Sequence, residues 1–483
     1  MKKRLIFGII GRFMIIEAIL FLLPTIVSLI YGEYKNANSF IISALISAAC
    51  GALLHLQTPS NREFYAKEGF ITIGLIWVIW SLVGALPFFL SGEIPNYIDA
   101  FFETVSGFTT TGATILTDIE SVSKGMLFWR AFTHWVGGMG VLVFAMAFVN
   151  VSNNNAIHLM RAEVPGPAVS KLVPRGMQNA KILYSIYFGL CVIEFVMLVL
   201  GGMPIYDSII HTMSTAGTGG FSCRNASIAA YNSAYVEWVI IAFMFLFSLN
   251  FNLYFYMIMR RFSAVAKDSE WKVFTLIVLG STLLFTLSIR GMYGSLADEI
   301  RISAFNVVSI ISTTGFCTVD FNFWSGFAKI LIITLMVVGA CAGSTGGGMK
   351  ISRVMIMAKT SVRTLRGLIR PKSVTNIKID GKIVDDDTVR TVSGYVIMYV
   401  CLFGLSMLII GLDNLNFEEI VSAVATCFNN VGPGFGKLGP TGNFSSLTGF
   451  SKIFLSLDML LGRLEIFPIL LLFVPSIWRK KFI

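Results

Sequence analysis

The sequence predicts an all-α polytopic membrane protein: four helix–pore-loop–helix repeats around a central pore, preceded by one extra two-helix hairpin. Three observations carry that prediction. Apolar residues make up 55% of 483 positions and the mean hydropathy is +0.76, too apolar for a soluble chain of this size. The apolar residues gather into runs near the length a helix needs to cross a bilayer, about 20 residues. Between these runs a short stretch that ends in glycine recurs four times, roughly every hundred residues.

The third copy shows the pattern best: Ser309-Ile310-Ile311-Ser312-Thr313-Thr314-Gly315-Phe316. The first is Ser106-Gly107-Phe108-Thr109-Thr110-Thr111-Gly112-Ala113 and the second Ser214-Thr215-Ala216-Gly217-Thr218-Gly219-Gly220-Phe221. The fourth is Thr426-Cys427-Phe428-Asn429-Asn430-Val431-Gly432-Pro433. A hydroxyl residue comes first, small or polar residues fill the centre, and glycine holds the seventh place. Glycine tolerates φ > 0 and close approach, so such a loop can leave helical geometry and aim carbonyls inward. Four loops about one axis would make rings of carbonyl oxygens able to replace the hydration shell of a cation. Non-helical backbone at membrane depth is tolerated only where protein buries it or it lines a watery cavity. A single copy reads equally well as an ordinary turn; four in one frame and one setting favour the ring.

Taken in order, residues 5–31 and 39–57 read as the hairpin of apolar helices. Lys2-Lys3-Arg4 before an apolar run resembles a signal peptide, but the run continues to Tyr31, too long for a signal core, and is kept as a membrane helix. The first repeat has an outer helix near 69–91, a pore helix near 97–107, its loop, and an inner helix near 126–149. The second repeat covers about 180–260, the third 271–348 and the fourth 390–477. Unit boundaries are placed at 1–66 for the hairpin and at 67–160, 161–265, 266–375 and 376–483 for the repeats. Segments such as Tyr97–Val105 and Asn416–Ala425 are too short to span and fit re-entrant helices.

Charge orients the chain. The net charge of +10 raises the question of nucleic acid, but in a membrane protein the placement of basic residues matters more than their sum. With the N-terminus cytoplasmic, 26 of the 37 Lys and Arg fall inside and 9 outside, leaving Arg12 and Arg463 within apolar runs. That asymmetry satisfies the positive-inside rule and turns all four loops outward. The outer segments carry carboxylates including Glu93, Asp99, Glu103, Asp207, Glu299 and Glu419, expected either to concentrate cations or simply to be solvated.

Other motifs are weighed by context. Gly339 to Lys350 contains Gly343, Ser344, Thr345, Gly346, Gly347 and Gly348 and interrupts the third inner helix. It lacks the Lys-Ser/Thr ending and the preceding strand of a phosphate loop. It reads either as a flexible link or as unwound backbone lying across a cavity. Arg463 lies mid-way along the run Phe450–Val474, where a charge is costly and faces the bundle interior or water. It reads either as an arginine bonded to loop carbonyls or as a charge in the pore; Glu465 is on another face and a poor partner. Arg12 is near enough to the inner surface to snorkel. His134, beside Gly137 and Gly138, reads as packing. The seven cysteines stand singly, with no metal or redox spacing. No catalytic constellation, metal cluster or nucleotide-binding fold is visible. The expectation is a non-enzyme with no cofactor of its own and no nucleic-acid partner.

Helix, pore loop, helix, four times in one chain, resembles the Trk/Ktr/HKT superfamily of potassium transporters over nearly the whole length. The extra hairpin makes it most similar to the bacterial Trk-type membrane subunit. The resemblance implies K+ uptake across a bacterial inner membrane through one selectivity filter. K+ would be held by Thr110, Thr111 and Gly112, by Thr218, Gly219 and Gly220, by Thr313, Thr314 and Gly315, and by Asn430, Val431 and Gly432. It further implies an intramembrane gate of Gly343–Gly348 with Arg463 beneath the filter, symport, a homodimer, and control by a separate cytosolic nucleotide-binding subunit. The basic stretch Lys350–Lys382 would dock that subunit or, equally, meet anionic membrane lipid. Glycine at the seventh place of every copy favours K+, since serine in the first copy marks many sodium-permeable relatives. The fourth copy has Asn429-Asn430-Val431 before its glycine, with no threonine there, so a sodium-coupled or sodium-conducting relative stays open. A re-entrant-hairpin carrier of small solutes is the alternative from another class, but it would show two inverted halves.

The charge asymmetry makes a direct prediction. Cysteines introduced beside Glu93 and Asp118 should react with an impermeant maleimide from outside the cell, and cysteines beside Lys267 and Lys372 only from inside. Reversed labelling would overturn the orientation.

Overall fold

A computed structural model describes residues 3–56, 66–140, 176–370 and 376–478. The hairpin is α1 (Lys3–Leu20) and α2 (Leu22–Ile30), returning as α3 (Tyr34–His55). α1 and α2 form one 28-residue span. They part at Phe21 because Pro24 has no N–H for the Leu20 carbonyl. The first unit follows as α4 (Ala66–Gly84), α5 (Leu86–Ser91), the short α6 (Tyr97–Phe108) and α7 (Lys124–Gly138). Pro87 breaks its outer helix at Ala85 in the same way. The second unit is α8 (Gly176–Leu200), short α9 (Ile205–Gly217), α10 (Ala234–Phe247), α11 (Phe251–Ile258) and α12 (Phe262–Lys267). The third is α13 (Glu270–Ser288), short α14 (Leu296–Ile311), α15 (Gly326–Val338) and, after a loop, α16 (Ile351–Ile369). The fourth is α17 (Asp386–Ile410), short α18 (Phe417–Asn429), α19 (Gly449–Arg463), α20 (Phe467–Leu472) and α21 (Pro475–Trp478).

The four short helices have 12, 13, 16 and 13 residues. At 1.5 Å per residue they reach about 18–24 Å, less than the ~30 Å hydrocarbon core. Their starts are fixed locally. Asn96 Oδ1 accepts from the Ile98 N–H, Ser295 accepts from the Asp298 N–H, and Asn416 with Glu419 makes a capping box. Among the described residues, six helical spans are long and apolar enough to cross a membrane.

Packing arranges these elements in a closed cycle. α7 lies against α6 of its own unit and α9 of the next. α10 lies against α9 and α14, α15 against α14 and α18, and α19 against α18 and α6. The short helices are thereby held between successive inner helices. Within a membrane, apolar contact alone gives no driving force, so close packing and polar bonds must hold the cycle. Phe108, the last residue of α6, sits between Trp80 and Trp129, with ring centroids 5.6 and 6.0 Å away. The Trp129 indole donates to the Gly84 carbonyl at 3.0 Å.

Besides the proline breaks at Phe21 and Ala85, the structure differs from the sequence reading in its inner helices and in one hairpin. The second and fourth inner helices are broken, not continuous. α10 and α11 are bent by 90°, and α19 stops at Arg463 before two residues with positive φ, Glu465 and Ile466. α7 stops at Gly138, and the 141–149 part of that expected helix lies outside the described residues. The all-α expectation also misses an antiparallel hairpin pairing Lys378–Ile379 with Lys382–Ile383. Asp380 and Gly381 turn it with positive φ, local chemistry that a helix-scale hydropathy pattern does not register.

A buried ion pair within the first unit reaches into the second through its arginine. Arg130 on α7 meets Glu103 on α6 at 2.5 Å, with side chains 2% and 0% exposed. Glu103 also accepts from Thr114 Oγ1 and the Ile115 N–H, both at 2.9 Å. Arg130 donates to the Ser222 carbonyl at 3.1 Å and lies 3.7 Å over the Phe221 ring. Removing one member strands the other charge, which costs about 3–5 kcal/mol in a buried pair. Arg130→Ala should therefore lower the thermal unfolding midpoint in detergent far more than Arg390→Ala. Arg390 and Asp387 are 83% and 97% exposed in their pair, an interaction worth about 1 kcal/mol or less. Equal shifts for the two variants would refute the account.

Candidate functional site

The four glycine frames share one backbone geometry. In every copy the N–H of the sixth residue donates to the carbonyl of the first: Thr111 to Ser106, Gly219 to Ser214, Thr314 to Ser309 and Val431 to Thr426, at 2.8–2.9 Å. In every copy the fifth N–H donates to the second carbonyl: Thr110 to Gly107, Thr218 to Thr215, Thr313 to Ile310 and Asn430 to Cys427. This nested pair of bonds is the Schellman ending of a helix, which requires a left-handed residue just past the end. That residue is Thr110, Thr218, Thr313 or Asn430, with φ of 56°, 55°, 61° and 55°. Glycine usually fills such a position. A β-branched residue there is strained by about 1–3 kcal/mol, and strain of that kind gathers at functional sites. Two residues on, Gly112, Gly220, Gly315 and Gly432 are again left-handed, with φ of 82°, 77°, 82° and 106°.

The glycines close the ring. A Cβ added to Gly112 would strike the Gly219 carbonyl oxygen, one on Gly220 the Thr314 carbonyl, and one on Gly315 the Val431 carbonyl. At Gly432 it would sit 2.9 Å from the Thr111 carbonyl. Each loop therefore abuts the next in chain order, and the fourth abuts the first. All four glycines line one open vestibule, together with Phe221 and Phe444. Each short helix ends at this ring, so four helix C-termini present partial negative charge there.

The fourth copy compensates for having Asn430 where the other three have threonine. The Asn430 side chain donates to Thr111 Oγ1 and to the Met459 carbonyl, both at 2.9 Å, and so pins the seam between the last loop and the first. Asn429 Oδ1 accepts from the Tyr399 hydroxyl at 2.9 Å. His134 supports the ring from behind, its Nδ1 2.7 Å from the Gly107 carbonyl and its ring stacked on Phe221. That is the packing role expected of it.

The glycine-rich loop lies against the side of the ring away from the vestibule. The Gly347 N–H donates to Thr313 Oγ1 at 2.6 Å and the Gly348 N–H to the Asn429 carbonyl at 3.1 Å. Gly346 approaches the Ser312 carbonyl so closely that a Cβ would stand 2.8 Å from it. The Gly343 carbonyl accepts from the Phe251 N–H at 3.1 Å, at the elbow between α10 and α11. Thr345 Oγ1 donates to the Phe247 carbonyl at 3.1 Å, and Ser344 Oγ to the Cys341 carbonyl at 2.6 Å. Arg463 spans this region. It donates to the carbonyls of Thr345 (2.8 Å), Gly138 (2.7 Å) and Gly137, and reaches Thr110 Oγ1 at 3.3 Å. The sequence left Arg463 between a bonded arginine and a pore charge; the structure brings it to the loop and to the ring together. Glu465 pairs with Arg353 instead, as its different face implied.

Two expectations are corrected. Lys350 and Arg353 do not belong to an open basic stretch. Lys350 is 3% exposed and bonds the Gly346 carbonyl, and Arg353 is 7% exposed between Glu465 and the Tyr395 ring. Their charges are consumed in satisfying unwound backbone and the half-buried carboxylate of Glu465. Several outer carboxylates are likewise engaged rather than free to attract cations: Asp99 with Lys452, Asp207 with Arg224, Glu299 with Arg290. Glu419 accepts from the backbone N–H groups of Asn416 and Lys437. Sequence reasoning missed Glu270, whose carboxylate accepts from the N–H groups of Ala342 and Ser352 at the two ends of the loop. Its only signal was an acidic residue at a helix start, which ordinarily means capping.

The chain is similar to known proteins over nearly its whole length. A family model described as TrkH, cation transport protein, matches residues 35–480. The "Trk system potassium uptake protein TrkH" of Salmonella typhimurium is 36% identical over 492 residues, covering 99% of this chain and all of that protein. The TrkG protein of the Escherichia coli Trk potassium uptake system is 32% identical over 462 residues, 95% of each chain. The crystal structure of the potassium transporter TrkH from Vibrio parahaemolyticus superposes with a TM-score of 0.89 at 32% identity, covering 99% of this chain and all of that one. On full-length identity and shared fold, the chain belongs to the TrkH family of cation transport proteins.

Proposed function

We propose that this chain takes up K+ across a bacterial inner membrane, through one selectivity filter made by its four glycine-ended loops. The observation that carries the reading is the closed contact of Gly112, Gly220, Gly315 and Gly432 with the carbonyl oxygens of neighbouring loops. Backbone carbonyls so crowded can replace the water around a cation, and four helix C-termini favour positive charge beside them. The ligands would be the carbonyls of Thr110, Thr111 and Gly112 and of their counterparts in the other three loops. Kinship with potassium uptake proteins supports K+ as the cargo. Asn430 and Val431 in the fourth loop make the ring chemically unequal, which keeps a sodium-conducting relative as the second reading.

The Gly343–Gly348 loop and Arg463 would form the gate. A fixed guanidinium in a poorly hydrated path repels cations far more than it would in water. The bond from Arg463 to the Thr345 carbonyl supports one closed unit of loop and charge. Family kinship supports membership of a Trk system, with a homodimer and a cytosolic nucleotide-binding regulatory subunit on the inner face. That subunit would meet exposed basic residues such as Arg366 and Lys382, not Lys350 or Arg353.

Two predictions follow from these assignments. Replacing Gly112, Gly220 or Gly315 with Ser should cut the Rb+/Na+ flux ratio by about tenfold or abolish flux, because the side chain meets a carbonyl head-on. Gly432→Ser should be the mildest, since its added Cβ has the most room. Vesicle flux with purified protein measures this, and unchanged ratios in all four variants would remove the filter assignment. Deleting Gly346–Gly348, or Arg463→Ala, should raise Rb+ flux about tenfold while leaving the Rb+/Na+ ratio unchanged, because the barrier is lifted and the ring is untouched. Reduced flux in both, from protein that remains folded, would mean that loop and arginine are structural.

A further inference from the structure

The glycine loop is tied at its two ends to a single carboxylate. Glu270, the first residue of α13, accepts from the Ala342 N–H at 2.7 Å and the Ser352 N–H at 3.0 Å, both through Oε1. Between those residues the loop runs under the ring and back, so one oxygen bridges its entry and its exit. The neighbouring Ser269 is bonded twice by a residue far away in sequence. Asp380 Oδ1 accepts from the Ser269 N–H at 2.8 Å and from its hydroxyl at 2.6 Å. Asp380 is the exposed turn residue of the 378–383 hairpin. The same hairpin is joined to α16, the helix that leaves the loop, through Lys359 Nζ on the Lys378 carbonyl at 2.6 Å. Loop ends, α13 start, hairpin and α16 therefore make one bonded circuit.

We propose that Glu270 is the positioning residue that holds the glycine loop across the path, and that the exposed 378–383 hairpin sets Glu270 through Asp380 and Ser269. The proposal rests on the gate reading of the loop. Hydrogen bonds to a charged acceptor are about twice as strong as neutral ones, so losing Glu270 removes the strongest constraint on both loop ends at once. A displacement of the hairpin by anything that binds it would pull Ser269, move the carboxylate and slacken the loop. The hairpin is suited to receive such a pull, because its turn is exposed and its strands are two residues long.

Cys341, one residue before Ala342 and 1% exposed, reports loop release without reference to transport. The full-length protein is reconstituted and the rate of Cys341 modification by a small maleimide is read by peptide mass spectrometry, beside Rb+ flux. Glu270→Ala should raise the modification rate about tenfold, with Rb+ flux raised and the Rb+/Na+ ratio kept. Glu270→Gln, which keeps an oxygen acceptor without the charge and preserves the packing, should raise it less. Asp380→Ala should raise it in the same direction. Thermal unfolding midpoints near that of the parent exclude general loosening. An unchanged Cys341 rate in both Glu270 variants overturns the clamp, even if deletion of Gly346–Gly348 opens the path. Faster modification with unchanged flux upholds the clamp and overturns the gate reading. A parental rate in Asp380→Ala, with a raised rate in Glu270→Ala, overturns the hairpin's part.

Discussion

A helix that stops inside a membrane leaves carbonyls and N–H groups with no water to satisfy them, each at a cost of several kcal/mol. The four short helices meet that constraint with the same nested pair of bonds, and the pair demands a left-handed residue at Thr110, Thr218, Thr313 and Asn430. The rest of the arrangement depends on this ending. It turns the chain in the same way in every unit and brings each frame glycine against the carbonyl of another loop. The strain of three left-handed threonines is held by the packing of the inner helices around them, α7, α10, α15 and α19.

The same constraint explains the polar groups beneath the ring. The second, third and fourth inner helices are interrupted there, and the exposed backbone has to find partners. Arg463 caps the end of α7 through the Gly137 and Gly138 carbonyls while holding the Thr345 carbonyl of the loop. Lys350 holds Gly346, Thr313 holds Gly347, and Glu270 holds both loop ends. Charged side chains are costly at membrane depth, and here each is bonded to backbone that would otherwise be orphaned. Releasing those bonds would free a segment whose glycines impose little steric restraint.

Much of the fold was legible because hydropathy and length are local. The short helices, the outer helices and the N-terminal hairpin lie where the apolar runs and their caps place them. The breaks at Phe21 and Ala85 were marked by Pro24 and Pro87, yet the runs were read through them, since apolar content alone does not register a missing N–H. The stop after Arg463 was marked in the same way by Pro468, which has no N–H for the Leu464 carbonyl. The elbow between α10 and α11 carried neither proline nor a glycine run, and the glycine loop engages the backbone exposed there.

What the sequence determined by itself was the recurring frame. The seventh-place glycine marked where each loop leaves its helix, because glycine permits the positive φ and the close approach found there. What only the tertiary structure decided was partnership. Whether Arg463 stood alone or bonded, and whether Asp99 was free or engaged, depended on residues more than a hundred positions away. Spacing along a chain specifies which face of a helix a charge occupies, but not which distant backbone group arrives to meet it.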